Sequence, residues 1–444
     1  MANSRSRLPE QLSERVAASL APLMPCEGGA LAVRVAFSGG LDSSVLLHVL
    51  AGLAQRMPLA LQACHVHHGL SLQADAWSAH CAQVCETLRI PFVLQHVQVS
   101  RQDAAGLEAA ARRARYEALA EGWQGWLALA HHTDDQAETL LFRLCRGAGV
   151  TGAASMRGVD PVRRQIRPLL GESRAELEVY ARAEGLSWVD DDSNPDLRFS
   201  RNYLRHQVFA PLRERFPAVA QNLARSAEIF AESDQLLGEL AQIDACEVAL
   251  GQAGSRQRFQ ALSHPRVRNL LRHYLRAADA LLPEMARLED GLRQLAGEGA
   301  VRWVFGHSAV CAYRDRIWLE PAVIPLPQAL VWQGQRELPW AGGRLCFPES
   351  FACSDGRAIR VGVRQIGMHW RLGPGRPQRA FKLLCQDVGV PPWWREYLPC
   401  VWNGEELLWI GGLGAVSPEG LDWVGAWPAC MSQAAGLSSS PAGS

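Results

Sequence analysis

The chain has one lysine. Lys382 stands alone among 45 basic residues, so arginine carries almost all of the positive charge. A phosphate loop of the G-x-x-x-x-G-K-[ST] type needs a lysine before its Ser or Thr, and no such loop is possible near the N-terminus. Net charge is also missing, with 45 basic against 45 acidic residues. That balance speaks against general adhesion to nucleic acid. No run of eighteen apolar residues occurs, so no spanning helix is expected and no membrane partner. The opening MANSRSRLPEQLSERV lacks the apolar core of a secretion signal, which points to the cytoplasm. The twelve cysteines include no C-x-x-C. The closest pair, Cys81 and Cys85, sits at helical spacing, and free thiols in a reducing compartment are expected rather than disulfides or a metal site.

The composition is that of a globular protein, 48% hydrophobic and 20% charged. A chain of 444 residues calls for two or three domains. Its first part alternates strand and helix. Strands are expected at 31–37, 59–70 (with its loop), 91–99 and 126–132, and helices at 44–54, 74–88, 108–121 and 134–147. Such alternation makes an α/β domain with a doubly wound parallel sheet, whose ligands bind at the carboxyl ends of the strands. From Ser173 to about Ala278 the pattern is mainly helical. Ser173 with Glu176 makes a capping box, and Gly185 is placed to end that helix. Three prolines in PAVIPLPQALVW (321–332) read as a linker. A small mixed α/β module follows it, and the last residues read as a disordered tail.

Two stretches contain no acid at all. Residues 248–278 hold Arg256, Arg258, Arg266, Arg268, Arg272 and Arg276, and residues 356–386 hold Arg357, Arg360, Arg364, Arg371, Arg376, Arg379 and Lys382. Solvated faces are the plain alternative, but two such stretches suit phosphate contact.

The most informative segment is SGGLDS, residues 38–43, between a strand and a helix. Glycines let backbone N–H groups approach an anion, and the helix start adds partial positive charge. Asp42 beside a polyphosphate makes electrostatic sense if a Mg²⁺ is shared with it. An ordinary helix cap is the competing reading. Further on, AHHTDDQAETLLFRLCRGAG (130–149) follows the fourth strand. Thr133 and Gln136 are spaced as a capping box. Asp134 and Glu138 fall one turn apart, where two acids can take a metal, a cationic amine or the amino group of cytosine. Glu108 and Arg112 stand at i,i+4 with Arg115 and Tyr116 beyond, a pattern an exposed ion pair would also explain. The histidines of HVHHGL (65–70) either pack or shape a nucleotide pocket. RPLL (167–170) precedes a helix. Residues 188–212 carry Asp191, Ser193, Asn194, Arg201, Asn202 and Arg205, with Arg201 and Arg205 on one helical face suited to phosphate or substrate.

The SGGLDS loop resembles that of the N-type ATP pyrophosphatases (the PP-loop superfamily). The ordered set SGGLDS, HVHHGL, E-x-x-A-R-x-x-R-Y, HHTDDQAET with RGAG, RPLL, and D-x-S-N before R-N-x-x-R is similar to the tRNA(Ile)-lysidine synthetase family. The likeness is close over about the first 215 residues and returns at 375–412. It implies a ligase that adenylates the wobble cytidine of a CAU-anticodon tRNA(Ile) on its carbon-2 oxygen. Free L-lysine then displaces AMP. It further implies that Ser38, Gly39, Gly40, Leu41, Asp42 and Ser43 hold ATP, with Asp42 on Mg²⁺. Asp134 and Glu138 would position cytosine and the lysine amine, Arg112 or Arg115 would face phosphate or the lysine carboxylate, and Arg205 would contact tRNA or lysine. The expected organisation is a catalytic domain over 1–217, a mainly helical tRNA-binding domain over 218–325, a small C-terminal tRNA-binding domain over 326–431 and a tail over 432–444. A tRNA thiolase of the same superfamily would carry C-x-x-C pairs. An amidotransferase would need a glutaminase cysteine site. A non-catalytic RNA-binding relative would tolerate loss of Asp42 or Asp134. Oligomeric state stays open.

Overall fold

LAVRVA is apolar apart from Arg34, which is buried and hydrogen-bonded, and forms β1 (Leu31–Ala36), a central strand with Val33 and Val35 fully buried. It belongs to a computed structural model that describes residues 7–26, 28–69, 71, 73–98, 107–190, 200–248, 254–277, 284–351, 358–371, 377–413 and 421–424. The chain divides into two compact units, residues 1–235 and 236–444.

In the first unit, α1 (Arg7–Leu20) precedes β1 and was not anticipated from the sequence. It buries Leu12, Val16 and Leu20, one residue per turn, in the same core as α2. After β1 come α2 (Leu41–Leu53), β2 (Leu59–His67), α3 (Ala74–Leu88), β3 (Phe92–His96), α4 (Leu107–Ala120), β4 (Trp126–Ala128) and α5 (Thr133–Cys145). The expected alternation is present. Helix α2 begins three residues earlier than expected, inside the glycine loop, because Gly39 makes the turn at φ +83°. Two short strands that the sequence did not announce, β5 (Val159–Asp160) and β6 (Gln165–Ile166), extend the sheet. Helix α6 (Arg174–Ala183) follows with the expected Ser173–Glu176 capping box.

The strand order is β3-β2-β1-β4-β6-β5, parallel throughout except for β5 at the edge. The chain runs outward from β1 to β3, then returns to lie on the other side of β1 as β4. Direction therefore reverses between β1 and β4. Their diverging loops open a crevice at the carboxyl ends, the place where such sheets bind ligands.

Ser200–Tyr203 is helical, Leu204–Phe209 takes the wider π-helical form, and α7 (Ala210–Arg215) returns to α geometry. Pro211 has no N–H to donate to the preceding turn, which favours this local widening. Asp191, Ser193 and Asn194 lie outside the described residues, as do Arg357, Arg376 and the 432–444 tail.

The long α8 (Val219–Val248) leads into the second unit. Helices α9 (His264–Ala277) and α10 (Met285–Ala296) pack with an antiparallel sheet of β7 (Gly254–Ser255), β8 (Val301–Phe305), β9 (Ser308–Tyr313) and β10 (Arg316–Pro321). The segment expected to be mainly helical thus also holds a four-stranded sheet. Along β9, Val310 and Ala312 face the helices, while Ala309 and Cys311 face a tryptophan-rich core formed with the C-terminal strands. The C-terminal part follows the proline-rich stretch and is built on short strands, with α11 (Phe381–Val388) as its α-helix among the described residues. No described helix is long and apolar enough to cross a membrane.

Candidate active site at the carboxyl edge of the sheet

Residues 38–43 leave β1 and enter α2. Ser43 Oγ donates to Gly40 O at 3.0 Å and lies 3.1 Å from Ser38 Oγ, which ties the loop into a narrow turn. A Cβ on Gly39 would fall 2.9 Å from Cys81 Sγ and 3.2 Å from Val189 Cγ2. Only glycine fits there, and the loop is thereby pressed onto α3. The first N–H groups of α2 have no partner inside the helix, which suits a helix start to an anion.

Below the loop, His65 Nδ1 donates to Phe37 O at 2.9 Å. Burial pushes the His65 pKa down, so the ring is a neutral packing group. His67, one pleat further along, lies 2.9 Å from Asp75. His65, His67, His68, Arg115, His131 and Asp135 line one cavity of about 310 Å³ together with Ser38, Gly40, Asp42 and Ser43.

The acids of α5 come to the same edge from β4, and their capping differs from expectation. The helix is capped at His132, whose N–H donates to Asp135 Oδ2 at 3.1 Å. Thr133 Oγ1 donates instead to Leu170 O, and the Gln136 amide bonds Met156. The reason is the RPLL turn, which packs under the helix start. Thr133 N donates to Glu172 O at 2.8 Å, and buried Glu172 is gripped by Arg15 of α1 at 2.7 and 2.5 Å.

His132 is 1% exposed and stands among three acids, 3.6 Å from Asp42, 3.4 Å from Asp135 and 3.6 Å from Asp134. Burial opposes its charge, but contact with Asp42 and the charges of Asp135 and Asp134 prevail and raise its pKa. Burial likewise opposes the Asp42 charge, and His132, Arg174 and Arg205 outweigh it to hold that carboxyl below its ordinary range. Arg174 donates to Asp42 Oδ2 at 3.3 Å, and its backbone N–H to Asp134 Oδ2 at 2.9 Å. Arg213 of α7 pairs with the other Asp134 oxygen. From the π-helical segment, Arg205 grips both oxygens of buried Glu138, at 2.7 and 2.9 Å.

Of the residues singled out from the sequence, Ser38, Gly39, Gly40, Leu41, Asp42 and Ser43 form the loop. Asp134, Glu138 and Arg205 join one charge network with Asp42. Arg115 lines the cavity, while Arg112 lies on the exposed face of α4 with its guanidinium over the Tyr116 ring. The Glu108 side chain is outside the described set. Sequence reasoning missed His132, Asp135, Arg174 and Glu172. The doubled HH and DD were visible signals, but which member of each pair faced the crevice was not.

The basic stretch at 248–278 is less free than its sequence suggested. Arg256 is 3% exposed and donates to the carbonyls of Leu295 and Gly299, both at 2.9 Å. Arg266 pairs with Asp244, and Arg268 with Glu289. Those acids lie outside the stretch and reach it through the fold. At 356–386, Arg360 lies over Trp402, Arg364 over Phe381, and Lys382 is exposed on α11.

Comparison with known proteins finds three matching regions. Residues 10–212 match a PP-loop domain, residues 255–318 a TilS substrate binding domain, and residues 359–421 a TilS substrate C-terminal domain. A tRNA(Ile)-lysidine synthase of Aromatoleum aromaticum is 44% identical over 393 residues, covering 86% of this chain and 93% of the relative. One from an Azoarcus species is 42% identical over 85% of this chain and 86% of the relative. Another, from Ralstonia nicotianae, is 37% identical over 96% and 98%. With matches of this length on both sides, the chain belongs to the tRNA(Ile)-lysidine synthase family.

Proposed function

We propose that this crevice makes lysidine in tRNA(Ile) in two steps. In the first, the carbon-2 oxygen of the wobble cytidine attacks the α-phosphorus of ATP and pyrophosphate leaves. In the second, the uncharged ε-amine of free lysine attacks carbon-2, a carboxylate takes up the proton it sheds, and AMP departs. The observation that carries the reading is the meeting of the glycine loop with Asp42, Asp134, Asp135 and Glu138 at the reversal point between β1 and β4.

Ser38 to Ser43 and the N-terminus of α2 hold the pyrophosphate end, where N–H groups meet charge that grows as the bond breaks. Asp42 suits Mg²⁺. Its Oδ1 is buried with no hydrogen-bond partner, and its pKa is low. One carboxylate and the phosphates would share the ion, as is usual for Mg²⁺. Bound there, Mg²⁺ would neutralise charge on the leaving pyrophosphate. Asp134 and Glu138 take the cytosine amino group and the lysine amine. Both are paired with arginines, Arg213 and Arg205, so the substrate amino groups must compete with those contacts. Arg112 and Arg115 serve the anionic groups of the substrates.

The domain assignments are 1–217 for catalysis and 218–325 and 326–431 for holding tRNA, with a cytoplasmic setting. The wobble base must leave its stack to enter the crevice. Incubation with ATP, Mg²⁺, radiolabelled lysine and an unmodified CAU-anticodon tRNA(Ile) transcript tests the whole. Base-stable label in the wild type, lost in Asp42→Asn, is the expected result. AMP release without label would overturn lysine as the nucleophile.

A further inference from the structure

His131 and His132 are neighbours in sequence and opposites in environment. They leave β4 in extended backbone, where successive side chains point to opposite sides. His132 enters the acid cluster. His131 enters a cationic one, where the charges of Arg167, Arg112, Arg115 and Arg201 bear on its ring.

Arg167 Nε donates to His131 Nδ1 at 3.2 Å. A guanidinium has no lone pair to accept with, so Nδ1 is the acceptor and the ring proton sits on Nε2. Arg167 is itself anchored. Its Nη1 donates to Arg157 O at 2.7 Å and its Nη2 to Gln165 Oε1 at 2.9 Å. Gln165 is buried on β6, the strand beside β4. Exchanging the tautomer would set two N–H groups against each other. Burial and the surrounding arginines also push the His131 pKa well below its ordinary value, so the ring stays neutral. This ring lines the same cavity as Ser38, Ser43 and Arg115.

We propose that His131 is an Nε2–H donor to a non-bridging oxygen of the nucleotide's α-phosphate, and that Arg167 is the positioning residue that sets its tautomer. This rests on the adenylation reading above. The glycine loop accounts for the pyrophosphate end of ATP. The next anion along the nucleotide is the phosphate that becomes AMP, and the Arg115–His131 wall offers it cationic, N–H-bearing surface. In the step itself, the cytidine oxygen bonds to the α-phosphorus while the bond to the bridging oxygen breaks, and the electron pair leaves with pyrophosphate. His131 neither gains nor loses a proton. Its hydrogen bond strengthens as the equatorial oxygens gain charge.

Two measurements on the full chain test this. Selective ¹⁵N-histidine labelling, with His131 assigned by its loss in His131→Gln, should show Nδ1 unprotonated and Nε2 protonated from pH 6 to 8. A signal titrating near pH 6.5 overturns the fixed tautomer. The second is tRNA-dependent exchange of pyrophosphate into ATP without lysine. His131→Ala should slow it about a hundredfold, the usual effect of losing one such donor. His131→Gln keeps a side-chain N–H and should recover most of the rate, with the KM for tRNA unchanged in both and wild-type melting as the folding control. Equal loss in Ala and Gln, or loss confined to the KM for tRNA or for lysine, overturns the assignment and gives this wall to a tRNA phosphate or the lysine carboxylate. If the wild type shows no exchange, the adenylation reading falls as well, while the histidine spectrum still decides the tautomer.

Discussion

Gly39 and Gly40 are adjacent, and only one of them is irreplaceable. Gly39 combines φ +83° with a Cβ position 2.9 Å from Cys81 Sγ, whereas Gly40 sits at φ −75° with its nearest Cβ contact at 3.5 Å. Gly39→Ala should therefore cost about 1–3 kcal/mol, lower the melting temperature and raise the KM for ATP. Gly40→Ala should melt near the wild type, and equal losses in the two would remove the packing explanation. His131 makes a second prediction at this scale. Its folded pKa lies well below 6.5, because burial and then the arginines disfavour the charged ring. The unfolded chain thus binds a proton that the folded chain refuses. Its contribution to stability is complete above about pH 6.5 and is lost as pH falls below that value towards the folded pKa. Between pH 7 and 5, His131→Gln should lose less thermal stability than the wild type does. The glycines and Asp42 were legible in the sequence because a tight turn into a helix uses neighbouring residues. Arg174 and Glu172 were not, because their partners Asp42 and Arg15 lie more than a hundred positions away.

At the level of elements, the strand–helix alternation was readable from hydrophobic periodicity. The short β5 and β6 were not, since two residues carry no period. The same limit applies to the cap of α5. Thr133-x-x-Gln136 satisfied a local pattern, but Leu170 of the RPLL turn took the Thr133 side chain and the Met156 backbone took that of Gln136. Arg205 illustrates how an element can aim a side chain. Its π-helical segment carries the guanidinium to both Glu138 oxygens, a fork that an ammonium cannot reproduce. Arg205→Lys is expected to lose roughly ten- to a hundredfold in lysine incorporation, as for one charged hydrogen bond of about 1.5–3 kcal/mol. Activity within twofold of wild type would show that charge alone suffices there.

Over the whole molecule, zero net charge means that tRNA must be held by local patches. In the 356–386 stretch Arg364 and Arg379 pair with Glu396 and Asp387, while Arg360 and Lys382 are exposed; Arg256 is spent on internal carbonyls. Arg360→Ala and Lys382→Ala should each reduce the salt dependence of tRNA affinity by about one unit of log–log slope. Arg258→Ala, whose guanidinium bonds Glu247 O, should change it less. A slope unchanged by the first pair would move the tRNA contact elsewhere on the chain.

The sequence by itself determined the class of the first domain, the glycine loop, the acids after the fourth strand and the family resemblance. Each is encoded in residues close together along the chain, where periodicity and turn chemistry operate. Tertiary structure decided the rest. It turned His131 towards arginines and His132 towards acids, paired Asp134 and Glu138 with arginines from α7 and the π-helical segment, and buried Arg256. Charge and burial act through space, and the residues that settle them are brought together only when the chain folds.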